Sequence, residues 1–319
     1  MRPRLTFFVE LGSEPLQALF AIPGVMDFLA RNNCGISMGL LDLTVARAAI
    51  VRELESRGVP VTAWLLLDVA DGYWLNADNP DRGRARYRET MAWAKREGLR
   101  LHRIGLDIEF PRSDGDMLMR DGTRALLTLL RRRRTAAQVR AAEASYAELV
   151  EEIRAAGRSV ESYHFPQLLD ERHCNSTLLR RTLGLVDVAV DVDVFMLYSS
   201  YLGRLGARAY YSDAARVAVG VTGGGVNADQ PEEAARVLSW ERLEDDLLAA
   251  SHNDEIYVFS LEGSVEHDML PRLEAIDWTR GAIPLTSAEQ RNIRRRRFLA
   301  RAVLKSEKLL DVIFPSRRA

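Results

Sequence analysis

Residues Leu101–Phe110 read LHRIGLDIEF. Side chains alternate along a strand, so Arg103, Gly105, Asp107 and Glu109 share one face and Ile104, Leu106 and Ile108 the other. The apolar set suits a face covered by helices. The polar set must then point into an interior, with its carboxylates near the strand's C-terminal end. The same unit recurs along the chain: a short apolar run, a polar or glycine-containing loop, then an amphipathic stretch. Strands are predicted at Leu5–Leu11, Gly35–Leu41, Val59–Val69, Leu101–Phe110, Ser159–Phe165, within Val188–Tyr198, at Val217–Val221 and at Ile256–Leu261. Helices are predicted near Leu16–Arg31, Val45–Ser56, Arg84–Glu97, Thr123–Ala156, Ser176–Leu183, Pro231–Ala250, Ser264–Leu273 and Ser287–Leu310. Eight strands alternating with helices imply an α/β protein, a closed (β/α)8 TIM barrel with an extra C-terminal helix over about 285–313. An open doubly wound sheet would need a phosphate-binding fingerprint after an early strand. The late TGGGVN stretch from Thr222 has neither G-x-G-x-x-G nor a P-loop lysine. One domain over residues 1–319 is expected, without an interdomain linker.

Composition narrows the partners. The 319 residues carry a formal net charge of -1, from 44 basic and 45 acidic side chains. A general polyanion binder should be distinctly basic, so no nucleic-acid partner is expected. Lysine occurs only at Lys95, Lys305 and Lys308, and the remaining basic residues are arginine. The runs Arg131–Arg134 and Arg294–Arg297 read as solvated helix faces or interface salt bridges and leave homodimerisation open. Cys34 and Cys174 cannot build a disulfide framework or a cysteine zinc site. The N-terminal MRPRLTFFVELGSEPLQALF is interrupted by Glu10, Ser13 and Glu14, so no signal peptide and no membrane span is expected. The expectation is a cytoplasmic protein.

In such a barrel the active site lies at the C-terminal ends of the strands. Asp107 and Glu109 stand there on strand four. Two carboxylates this close raise one pKa, which keeps a general acid protonated near neutrality. Arg103 is expected to compensate Asp107 from below. Strand one ends at Glu10 and strand eight at Glu262, and these strands neighbour each other in a closed barrel. Strand three runs through Trp64 to Asp68 and the loop ADGYWLNADNP, whose Trp74 and Asn76 suit a sugar: a ring face for stacking and an amide for hydroxyls. Strand five ends at Tyr163 and His164. Strand six ends at Met196-Leu197-Tyr198, with Tyr198 pointing inward if Met196 does. No lysine lies on a strand, which argues against a Schiff-base enzyme. There is no G-x-S-x-G elbow. The five histidines are too scattered for a multi-histidine metal site, so no metal or other cofactor is assigned.

Gly105-Leu106-Asp107-Ile108-Glu109, taken with Met196-Leu197-Tyr198, resembles the barrel glycoside hydrolases of the chitinase-like kind. Their strand four ends in Asp-x-Glu and their strand six carries Met-x-Tyr-Asp. The resemblance implies that Glu109 is the proton donor, that Asp107 orients the substrate's acetamido group, and that Tyr198 assists at the reacting centre. This chain departs from the pattern at His102, Gly105 and Ser199, where that family has acidic residues. The resulting expectation is a glycoside hydrolase-like enzyme acting on a carbohydrate. Glu109 is its acid, and Glu262 or Asp107 its nucleophile or base. Glu10, Asp68, Trp74, Asn76, Tyr163, His164 and Tyr198 line the sugar site. Two other readings stand beside it. One is a metal-dependent sugar isomerase or epimerase, with ligands from Glu109, His164, Asp193 and Glu262. The other is a non-catalytic barrel that binds a glycan or a protein.

Overall fold

The computed structural model describes residues 2–225 and 236–314. Its strands are β1 (Arg4–Val9), β2 (Gly35–Gly39), β3 (Val61–Leu65), β4 (Arg103–Asp107), β5 (Ser159–His164), β6 (Val192–Met196), β7 (Arg216–Gly220) and β8 (Glu255–Phe259). They pair in chain order, all parallel, and β8 returns to β1 to close the barrel. The (β/α)8 architecture is thus present. Ile104, Leu106 and Ile108 pack outward in the layer shared with the helices. Phe8, Trp64, Tyr163, Met196 and Tyr257 fill the inside. Gly105 is where the interior is tightest. A Cβ there would stand 2.5 Å from the Tyr163 hydroxyl, so only glycine lets that ring cross the barrel.

The floor of the barrel departs from expectation. Arg103 does not pair with Asp107. Its Nη1 lies 3.1 Å from Glu161 Oε2 and 3.5 Å from Glu255 Oε2. The reason is distance along the strand: four residues at about 3.3 Å each put Asp107 well above Arg103. Glu161 also accepts from the hydroxyls of Tyr163, at 2.5 Å, and Tyr257, at 2.7 Å. Burial lifts the Glu161 carboxyl, and Arg103 and the two hydroxyls work against that rise.

Several helices are shorter than the periodicity suggests. The first divides into Ser13–Ala21 and Val25–Arg31 around Pro23 and Gly24, whose φ is 88°. The fourth divides into Thr123–Arg131 and Ala136–Ala155, the second begun by a Thr135–Gln138 capping box. Helices at Arg112–Asp121, Gln167–Cys174 and Ser199–Arg208 were not anticipated. The expected helix start at Pro231 lies outside the described residues, and the helix that follows β7 is described over Trp240–Ala250. No helix among the described residues is long and apolar enough to cross a membrane.

The arginine runs are only partly solvated. Arg294, Arg295 and Arg296 are exposed as expected, but Arg133 and Arg134 are buried. Arg133 pairs with Asp311 at 2.6 Å, and Arg134 pairs with Asp78. The C-terminal helices, Ser287–Lys305 and Glu307–Ile313, are tied to the barrel wall by such pairs. Arg297 reaches Asp170 at 2.6 Å and Asp213 at 2.6 Å, and Arg301 reaches Asp170 at 2.7 Å. Arg181 bonds Glu307 and Asp311.

Candidate active site

A cavity of about 810 Å³ opens at the C-terminal ends of the strands, with Glu10, Trp74, Asp107, Glu109, Tyr163 and Tyr198 in its wall. Each is set there by its place at a strand end or on the loop beyond. Glu10 directly follows β1 and is 7% exposed. The Tyr73 hydroxyl donates to Glu10 Oε1 at 2.5 Å. Tyr73 can do so because the loop turns sharply through Gly72 (φ 105°) and through its own positive φ of 66°. The Trp74 ring then packs edge-on against Tyr73, with centroids 5.1 Å apart.

Asp107 is the last residue of β4, and its Oδ2 accepts from Trp64 Nε1 at 3.1 Å. Its Oδ1 is buried and meets no donor among the described residues. A buried carboxylate oxygen without a donor is costly, so the lone pair calls for a proton. Its neighbour Glu109 is the group that can share one. Backbone contacts fix Glu109. Its N–H donates to the Leu75 carbonyl at 3.1 Å, and the Leu75 N–H donates to the Asp107 carbonyl at 2.9 Å. The aromatic loop thereby extends the sheet past β4 by a single parallel bridge, Leu75 to Ile108.

The electrostatics follow from this enclosure. Burial, then the charge of Glu10, pushes the Glu109 carboxyl up to about 8. Burial, then Glu109 and Glu10, holds Asp107 well above the usual carboxylate range. Near neutrality the pair therefore keeps a proton. Tyr198 follows β6 and does point inward. Burial raises its phenol, and the charges of Asp107, Glu109 and Glu10, which line the same cavity, raise it further. The Tyr163 ring forms the cavity floor, and its hydroxyl is turned down to Glu161 and Ser37.

Four expected site residues are not brought to this wall. Asp68 is exposed and precedes the short 3-10 turn Val69–Asp71. Asn76 is buried inside its own loop. Its Nδ2 donates to the Trp74 carbonyl at 3.0 Å, and its Oδ1 accepts from Asp78 N at 3.0 Å. His164 has the opposite parity to Tyr163 and so faces the helices. Its Nε2 lies 3.6 Å from Asp193 Oδ1, and burial pushes its pKa down to about 4. Glu262 does not end a strand. It sits in the first turn of the helix Leu261–Glu266, capped by Ser260. Its Oε1 accepts from the Glu10 backbone N–H at 3.2 Å, while the Gly223–Gly225 turn lies against its side chain. A Cβ on Gly224 would come 2.5 Å from Glu262 Cγ. Burial pushes the Glu262 carboxyl up to about 7. Glu109, His164, Asp193 and Glu262 therefore do not converge, and no group of three or more metal-ligating side chains is assembled among the described residues.

Other wall residues were missed. Phe110 and Phe165 line the cavity beside Glu109, and Glu266 and His267 line it after β8. The aromatics were legible as the residues next to Glu109 and His164, and nothing in the local pattern marked Glu266 or His267.

No family model and no curated protein matches the chain. Solved structures with a similar fold include an L-ribulose 3-epimerase, at 15% identity and a TM-score of 0.43, covering 99% of each chain. A 3-keto-D-glucoside 4-epimerase from E. coli has 11% identity and a TM-score of 0.45, covering 86% of this chain and 100% of its own. A chitinase from Rhizomucor miehei has 13% identity and a TM-score of 0.47, covering 85% and 99%. Several other matches are sugar epimerases. At such identity the likeness concerns the fold alone.

Proposed function

We propose that this protein is a carboxylate acid/base enzyme acting on a carbohydrate, and that it hydrolyses a glycosidic bond. The observation that carries this is the Asp107–Glu109 pair, Asp107 buried and Glu109 half-buried, which keeps a proton near neutrality while Glu10 lines the same cavity. Glycoside cleavage needs one protonated and one ionised carboxyl around one bond. Glu109 gives its proton to the leaving-group oxygen as the C–O bond breaks. Water bonds to the anomeric carbon and passes its proton to a second carboxylate. Glu10 is better placed for that second role than Glu262, because it lines the cavity and Glu262 supports its backbone instead. Asp107 positions Glu109 and holds the shared proton. Trp74 supplies a stacking face, and Tyr198 a hydroxyl beside the acids.

The test is turnover of a panel of glycosides by the wild type and by Glu109→Gln. The expected result is cleavage of at least one member by the wild type and its near loss in the variant. Full activity of Glu109→Gln on a substrate that the wild type cleaves overturns the reading.

A second reading, epimerisation or isomerisation of a free sugar, draws on the same geometry. Carboxyls on β1 and β4 approach a bound carbon from two walls, as proton removal and return on opposite faces require. Incubating candidate ketoses in heavy water separates the two. Deuterium appearing at carbon without bond cleavage favours epimerisation.

A further inference from the structure

The cavity wall changes character around the barrel. Glu10, Trp74, Asp107 and Glu109 occupy the arc from β1 to β4. From the end of β4 onward most of the buried and half-buried wall is carbon: Phe110, Phe165, Leu202 and Val221, with Leu118 added by the helix Arg112–Asp121. The polar groups set into it are the Tyr198 phenol and Arg112, whose guanidinium lies 5.6 Å from the Tyr73 ring centroid, toward the loop after β3. Phe110 and Phe165 stack face to face, with centroids 5.1 Å apart and planes inclined by 3°. The helix is pressed onto this pair at Gly115, where a Cβ would come 2.6 Å from the Phe110 ring. Asp116 and Arg120 also border the cavity, but both are exposed, and Arg120 Nε already donates to the Asp116 carbonyl at 3.2 Å.

Glu109 stands at the seam between the two arcs, one residue before Phe110. A general acid must reach the leaving-group oxygen, so the leaving group lies along the wall that Glu109 adjoins. A sugar could lay a C–H face on these rings as at Trp74, but the hydroxyls on its rim would meet mostly carbon on this arc, each unpaired one costing free energy on burial. A flat apolar group would cover the same wall with favourable ring contacts.

We propose that the substrate is a glycoside with an apolar, aryl-sized aglycone, seated on the Phe110–Phe165 wall with its glycosidic oxygen at Glu109. This rests on the hydrolytic reading above and adds the substrate class to it.

The free aglycone tests the seat without needing any reaction. Calorimetric titration of 4-methylumbelliferone into the full chain is expected to show saturable single-site binding. Phe165→Ala should weaken it by roughly tenfold, and the shape-conserving Phe165→Leu by roughly threefold. Circular dichroism and Tm establish that both variants fold. Absence of saturable binding overturns the proposal. So does wild-type affinity in a folded Phe165→Ala protein. A panel of 4-methylumbelliferyl glycosides then addresses the reaction. Release of fluorophore together with slower turnover of the matching methyl glycoside supports both readings. Equal turnover of aryl and methyl glycosides overturns the aglycone seat. Binding of the free aglycone with no release from any glycoside leaves the seat standing and overturns hydrolysis.

Discussion

The barrel buries carboxylates at both ends and surrounds them differently. At the floor, Glu161 and Glu255 face Arg103, and the hydroxyls of Tyr163 and Tyr257 complete the shell of Glu161. At the mouth, Asp107 and Glu109 are lifted by burial and by further negative charge from Glu10. Buried charges that gain cations and donors hold a structure together. Buried acids set against other acids retain protons instead, and proton retention is what acid catalysis uses. The same residue types thus mark a structural cluster at one end and the proposed reactive one at the other.

Removing the acid at the mouth and the cation at the floor sharpens this contrast most. Glu109→Gln should lower glycoside cleavage by about 10²–10⁴-fold, the usual worth of a general acid, with little loss of Tm. A variant that instead unfolds would turn the mouth into a second structural cluster. Arg103→Met should leave Glu161 and Glu255 facing each other without their cation. A loss of about 3 kcal/mol in denaturant unfolding is expected, at the low end for a broken buried pair because Arg103 is partly exposed. An unchanged midpoint would remove the distinction.

The pH response follows with a definite sign. Glu109 holds its proton up to about 8 when folded, against an ordinary glutamate value of 4.5. Its raised pKa therefore favours the folded state below that ordinary value, and the advantage is lost as pH rises through about 8. Unfolding free energy measured across this window should fall with pH in the wild type and fall less in Glu109→Gln. Activity that depends on protonated Glu109 should decline over the same upper range. The smallest effect is expected at His164, which faces the helices. His164→Gln should change turnover by no more than roughly twofold while costing some stability, since it removes no group from the cavity. A large loss of turnover with an intact fold would return His164 to the site.

The parts legible in the sequence were those governed by strand parity. The alternation in Leu101–Phe110 placed Asp107 and Glu109 inward and Ile104, Leu106 and Ile108 outward, and the barrel does so. The same rule, carried through β5, separates Tyr163 from His164 and marks Glu161 as an inward carboxylate, so the floor cluster was within reach. Glu10 reached the cavity because it directly follows β1, whereas Trp74, well beyond the end of β3, reached it through the turn at Gly72 and Tyr73. Asp68, Asn76 and Glu262 depended on how a turn closes. The Tyr73 backbone, the Asn76 loop bonds and the Ser260 cap are local choices that a hydrophobic pattern does not record. The Phe110–Phe165 wall needed β4 and β5 side by side before its two rings could be seen as one surface.

The ion pairs of the C-terminal helices set an order on how the chain can finish folding as it is made. Asp170, Arg133 and Arg181 belong to the middle of the sequence, yet their partners lie within residues 287–314. During synthesis these side chains emerge early and wait without those ionic partners while β6, β7 and β8 are still being added. The sequence order therefore allows the barrel to close before its outer wall is neutralised. Neutralisation can occur only after the ribosome has released the segment that carries Arg297, Arg301, Glu307 and Asp311.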